Sequence, residues 1–251
     1  MAEEVKVVKG TSLWGDAWKR LRKNKLSVFG LTVLAIMAVV VTVGPTIFFW
    51  MTGFTADGIP ENGDLIKSFP PSLLHPMGTD EAGRDMLARV MQGGRISLMV
   101  GIISTIVSLI VGVSYGAISG FVGGRIDNVM MRIVDMIYAV PYILIVIVLL
   151  SVFGGHNTPD WIQFLSDNIG GAGNQGLSQI FLLFFALGLV SWLTMARVVR
   201  GQVLSLKNQE FVLAARATGV SSFGIIFRHL VPNTLGPVIV YATLTVPSVM
   251  L

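Results

Sequence analysis

The chain has 251 residues, of which 53% are hydrophobic and only 13% charged, with a mean hydropathy of +0.74. That leaves too little polar surface to cover a water-soluble globule and makes membrane burial the natural outlet. There is no cysteine, so disulfide frameworks and thiolate metal sites are excluded, and His75, His156 and His229 are too scattered to suggest a metal centre. The pI near 9.6 does not point to nucleic acid, because the basic residues sit in blocks between apolar runs, a pattern of membrane topology.

A hydrocarbon layer of roughly 30 Å takes about 20 apolar helical residues to cross, since no water is present to satisfy a free backbone group. Five segments meet this requirement: Leu26 to Trp50, Ile96 to Ile118, Ile133 to Phe153, Ile180 to Val199, and Asn233 to Leu251. The stretch 1–25 carries seven basic and three acidic residues, 51–95 four and six, 119–132 two and one, 154–179 none and two, and 197–228 five and one. Cytoplasmic loops retain Lys and Arg, so this alternation puts the N-terminus inside and the loops 51–95 and 154–179 outside. The first span then reads as a signal anchor rather than a cleaved leader.

Ahead of it, Leu13, Trp14, Ala17, Trp18 and Leu21 fall on one helical face, with Lys19, Arg20 and Lys23 opposite. Residues 1–25 are therefore expected to form a cytoplasmic segment with a helix lying on the membrane surface, or else a basic topogenic flank. In the second span Ser104, Ser108, Gly112, Gly116 and Gly120 recur every four residues, a ridge that lets another helix backbone come close. Pro141 is expected to kink the third span. Asp135, the one acidic residue within a span, and Pro141 are the candidates for a translocation path, although Asp135 lies three residues from Arg132 and the two could simply pair near the interface.

The outer loop contains Gly78-Thr-Asp-Glu-Ala-Gly-Arg-Asp85, in which Thr79 or Asp80 is expected to cap a short helix carrying the pairs Asp80/Arg84 and Asp85/Arg89. No nucleophile accompanies these carboxylates, so no catalytic residue is assigned. From Gln209 to Asn233 the sequence predicts a helix ended by Gly219, a second helix capped by Ser221, and Pro232 opening the last span. Two short helices with small residues at Ala214, Ala215 and Ala217 would make a knob outside the membrane, a shape suited to being gripped by a partner.

Ala214-Ala215, Gly219 four residues after Ala215 and Pro232 thirteen after Gly219 resemble the coupling loop of bacterial ABC importer permeases. The segments 78–85, Gly123-Gly-Arg-Ile-Asp-Asn-Val-Met-Met-Arg132 and Met195-Ala-Arg-Val-Val-Arg-Gly-Gln202 are further similar to the C-type subunit of oligopeptide and dipeptide systems. The resemblance implies an all-α polytopic bundle of the type I importer permease class: a permease domain over 26–251 with outer loop 51–95 and coupling loop 200–231, showing five spans of the family's six and hence expected to be truncated at its C-terminus. It implies that Glu210, Leu213, Ala214, Ala215, Gly219, Arg228, His229 and Pro232 serve coupling to an ATPase. Leu213 stands where the family often has Glu, and the 156–179 loop is longer than usual. No Gly-Lys pair exists for a phosphate loop, so ATP and its magnesium ion belong to partners and no cofactor is expected on this chain. The implied partners are a second permease subunit, two ATPase subunits, an extracytoplasmic peptide-binding protein, lipid and the peptide itself, in the bacterial inner membrane. The same architecture importing another cargo, such as nickel complexes, is the alternative. An ATP-independent channel or secondary transporter would more often carry internal inverted repeats, and a scaffold would not need the coupling pattern.

Overall fold

The computed structural model describes residues 13–58, 68–153, 159–161, 164 and 175–250. Most of the 156–179 loop, including Gly173, lies outside these residues. All regular structure among them is helical, apart from one isolated bridge between Thr79 and Asp85. The chain forms two compact units, Met1–Ile96 and Ser97–Leu251.

In the first unit, α1 (Leu13–Lys23) gives way to α2 (Lys25–Thr52) at Asn24, whose side chain accepts from the backbone N–H of Leu26 at 3.1 Å and of Ser27 at 3.3 Å. That cap satisfies two of the orphan donors that a helix start leaves. Helix α2 holds no buried residue and stops at Gly53, which has a φ of 77°.

The segment 78–85 is not the short helix expected. Gly78 and Gly83 both have positive φ, 73° and 77°, and the chain loops back so that Asp80 Oδ1 accepts from the N–H groups of Ala82 and Arg84, each at 2.9 Å. The Arg84 N–H, followed by the Arg89 guanidinium and the Ala82 N–H, outweighs desolvation and holds the Asp80 carboxyl below its ordinary range. Asp80 pairs with Arg84 at 3.7 Å as expected, but Arg89 also turns to Asp80. Asp85 instead caps α3 (Met86–Val122), its Oδ1 accepting from the Ala88 N–H at 2.8 Å while its Oδ2 lies 2.8 Å from Nδ1 of His75. The helix that carries the second span thus begins at Met86, ten residues ahead of Ile96. At about 1.5 Å per residue α3 is longer than the hydrocarbon is thick.

The second unit is organised by the small-residue ridge of α3 against α6 (Gln175–Leu206). A methyl group at Gly112 would lie 2.9 Å from the Trp192 carbonyl and at Gly120 2.9 Å from that of Arg200, while at Gly116 it would collide with the backbone of Ala196. Ser104 donates to the Phe184 carbonyl at 3.0 Å. Two helix backbones this close are possible only where side chains are missing.

The third span departs most from expectation. It is α4 (Gly124–Ala139) and α5 (Tyr142–Phe153), bent by 84° at Val140-Pro141. Val140 is extended, with φ −81° and ψ 127°, the conformation a following proline imposes on its neighbour, so the helix is broken rather than kinked. After α6 come α7 (Glu210–Ala217) and α8 (Ser222–Met250), the latter containing a π-helical stretch at Ile225–Leu230. Pro232 does not open a new helix: α8 runs through it. The Val231 N–H bonds five residues back to Ile226, and this wide turn accommodates the proline that would otherwise crowd the Arg228 carbonyl. Among the described residues α2, α3 and α8 are long and apolar enough to cross a membrane, and the bent α4–α5 pair makes a fourth if it is one span.

The ridge generates a paired expectation. Gly116→Ala should destabilise the protein by about 1–3 kcal/mol through forced separation of α3 and α6. Gly201→Ala, on α6 with nothing within 4 Å of the added methyl, should be neutral or stabilise by up to about 1 kcal/mol. Thermal unfolding of both variants in detergent checks the contrast.

Candidate functional site

The α7–α8 turn is built from local hydrogen bonds. Ser221 adopts φ −62° and ψ 153° and its hydroxyl accepts from the Gly224 N–H at 3.2 Å, starting α8. At the end of α7 the Val220 N–H donates to the Ala215 carbonyl at 3.1 Å and the Gly219 N–H to that of Arg216 at 3.0 Å, with Gly219 at φ 78°. This pair of bonds around a left-handed residue is a Schellman closure. Thr218 Oγ1 donates to the Ala215 carbonyl at 3.0 Å as well. Glu210 sits in the first turn of α7, where its charge complements the helix dipole.

The turn has an inner and an outer side. Val212 and Ala215 are buried with Ile225, Ile226 and Leu230 in one cluster that also holds Ala117 of α3 and Met195, Val199 and Val203 of α6. Ala215, expected on a docking surface, is therefore only 7% exposed: its small side chain fits the protein's own core. Glu210, Leu213, Ala214, Gly219 and Arg228 are exposed, and His229 is half-buried. Phe211, Leu213 and Phe223 are large apolar side chains left open to solvent, and the Phe223 and Phe227 rings lie 4.5 Å apart. Pro232 is exposed, and next to it Asn233 Nδ2 donates to the His229 carbonyl at 2.6 Å.

The candidate path residues lie elsewhere. Asp135 does not pair with Arg132 but with Arg197 of α6, Nη2 to Oδ1 at 2.8 Å, and that guanidinium stacks over the Tyr138 ring at 4.5 Å. The Asp135 side chain remains 67% exposed. Pro141 is exposed at the break.

Sequence reasoning missed the ionic centre of this unit. Asp127, 5% exposed on the first turn of α4, receives Nε of Arg200 on Oδ1 at 2.6 Å and Nη2 on Oδ2 at 2.7 Å, and the Ser119 hydroxyl also donates to Oδ1. Two of the segments noted for their resemblance, 123–132 and 195–202, thus meet in one bidentate pair. The single acid of 123–132, Asp127, set against the two arginines of 195–202 was the available signal. Among the described residues no group of three or more His, Asp and Glu residues could hold a metal ion.

Such a helical membrane bundle, with a capped hairpin packed into its end, defines the class as a polytopic membrane protein. Residues 112–251 match the family described as "Binding-protein-dependent transport system inner membrane component", and residues 12–57 match "N-terminal TM domain of oligopeptide transport permease C". The chain is 45% identical over 246 residues to the oligopeptide transport system permease protein OppC of Escherichia coli (strain K12), covering 97% of this chain and 72% of that one. It is 46% identical to OppC of Salmonella typhimurium, with 97% and 72% covered, and 40% identical to the dipeptide transport system permease protein DppC of Bacillus subtilis, with 93% and 63% covered. The chain belongs to the family of inner-membrane components of binding-protein-dependent transport systems: it is a permease subunit, not an enzyme.

Gly219 offers a local test of the hairpin. A methyl there meets nothing within 4 Å, so the cost of Gly219→Ala comes from the positive φ alone and should be about 1–2 kcal/mol. Gly219→Val should cost somewhat more, on the order of 1–3 kcal/mol. Hydrogen exchange at residues 212–220 should quicken in that order, with amides of α3 unchanged.

Proposed function

We propose that this chain forms half of the translocation path of an ATP-driven importer of oligopeptides or dipeptides, with ATP hydrolysis carried out by partner subunits. The observation that carries the proposal is the two-sided hairpin at Glu210–Ser221: it is anchored inward on α3 and α6 and presents exposed Leu213 and Ala214 outward, beside Phe223 in the first turn of α8. Apolar side chains left exposed on a capped turn between two long helices fit a protein groove. Leu213 supplies apolar contact where a Glu is common in the family, and Glu210 supplies the nearest acid. The relatives named for oligopeptides and dipeptides favour peptide over nickel complexes as cargo.

The expected assembly is this chain with a second permease subunit, two ATPases and an extracytoplasmic peptide-binding protein. The exposed Asp135 of α4, and the break at Pro141, would border the path opposite the second permease. Interconversion between inward- and outward-open states would then be driven from the hairpin. The charge alternation supports an N-terminus inside, with α1 on the inner membrane surface.

Two experiments test this reading. The protein lacks cysteine, so single introduced thiols report without background. An impermeant maleimide should label Ser68→Cys in intact cells and leave Ser205→Cys unlabelled; the opposite result would invert the topology. Ala214→Trp, on the outer side, should reduce ATPase copurification and peptide uptake by about tenfold or more while leaving thermal stability near wild type. Ala215→Trp, on the inner side, should instead overpack the core and destabilise it by about 1–3 kcal/mol. Normal copurification and uptake for Ala214→Trp would sink the coupling assignment.

A further inference from the structure

The end of α3 gathers ties from α4, from the turn that follows α6 and from α7. Ser119 donates to Asp127 of α4, Lys207 Nζ donates to the Gly120 carbonyl at 3.0 Å, and the Arg216 guanidinium of α7 lies 5.1 Å from the centre of the Phe121 ring. Cations at Lys207 and Arg216 complement the negative end of α3. The link from α3 to α4 is Gly123-Gly124, with φ values of 69° and 60°, a backbone that offers little resistance to changing the angle between the helices. What fixes α4 is therefore its side-chain ties, above all the buried Asp127 carboxylate held by both nitrogens of Arg200. Beyond that pair, α4 leads directly to the 84° break at Val140-Pro141.

We propose that Asp127 and Arg200, with Ser119, are positioning residues that make α4 move with the coupling hairpin, so that displacement of α7 re-aims the broken α4–α5 pair. The inference rests on the reading of Glu210–Ser221 as the site that receives the ATPases' motion. A buried ion pair that served only as adhesive would affect how much protein assembles. A tie between moving parts affects how much transport each hydrolysed ATP produces.

The test uses the full chain assembled with its partner subunits in lipid nanodiscs or vesicles. Asp127→Asn removes the charge at constant shape, and Ser119→Ala removes one of two α3 ties, leaving the ion pair and the Tyr115 hydroxyl donating to the Met130 carbonyl at 2.9 Å. In Asp127→Asn the peptide transported per ATP hydrolysed, per assembled complex, should fall by about tenfold with ATPase activity largely kept, and in Ser119→Ala by about twofold to fivefold. Spin labels at Asn128→Cys and Ala217→Cys, on exposed positions of α4 and α7, should hold one distance when nucleotide is trapped by vanadate, and should separate into two populations once Asp127→Asn is added. An unchanged transport-to-ATP ratio in both variants, with uptake and ATPase falling only in step with the amount of complex, overturns the proposal, as does a wild-type label distance that shifts on trapping. Failure of any ATPase to copurify with the wild-type chain is a different result: it removes the functional reading itself.

Discussion

The close crossing of α3 and α6 is the contact on which the second unit is built. Lipid offers no hydrophobic drive to bring apolar helices together, so association depends on how nearly their backbones can approach. Gly112, Gly116 and Gly120 meet the carbonyls and short side chains around Trp192, Ala196 and Arg200 with no room for a methyl group. Once that distance is set, the neighbouring faces of the pair become a platform. Val134 of α4 packs on Trp192, Leu193 and Ala196, while the inner side of the hairpin packs on Ala117, Val199 and Val203. The ion pair between Asp127 and Arg200 lies at the end of the same crossing, four residues along α6 from Ala196. Moving α6 by the width of one methyl group would disturb all three.

The prolines show what a sequence does and does not disclose. Pro45, Pro141 and Pro232 all stand in helical patterns, and each removes a backbone donor. Pro45 is absorbed within α2. Pro232 is absorbed with the help of a π-helical stretch that leaves Val231 helical at φ −55° and ψ −46°. At Pro141 the preceding Val140 is extended and the chain turns through 84°. The choice between these outcomes is made by tertiary packing: α8 is held on both sides of Pro232 by Ile226, Leu230 and Thr234, all buried, whereas Val140, Pro141 and Tyr142 are all exposed. Of the five spans expected, the described residues show three long apolar helices, or four spans with the bent α4–α5 pair. Helices α2, α3 and α8 and their order could be read in advance because lipid thickness dictates them. The break could not.

The same division runs through the candidate site. Gly219, Ser221 and the helix between Glu210 and Ala217 follow from capping rules that operate within a few residues, and the spacing alone located them. Which alanine faces inward depended on the rotation of an eight-residue helix against two distant ones, so Ala215 changed sides. Asp127 and Arg200 are separated by 73 positions, and Asp135 and Arg197 by 62. Nearest-neighbour reasoning offered Arg132 as a partner for Asp135 because it had no knowledge of the α4–α6 register.

That hairpin geometry has a mechanical consequence. Helix α7 has only two turns, too few to be stable by itself, so its shape is borrowed from the core against which Val212 and Ala215 lie. A body seated on Leu213 and Ala214 therefore cannot displace α7 without also loading the buried cluster beneath it. Interiors packed at solid density transmit such a load instead of absorbing it. Backbone that yields readily lies at both ends of α4, in the positive-φ Gly123-Gly124 turn and at the break at Pro141. On the proposed coupling role, a push at the hairpin would be converted into rotation of α4, the helix that carries the exposed Asp135.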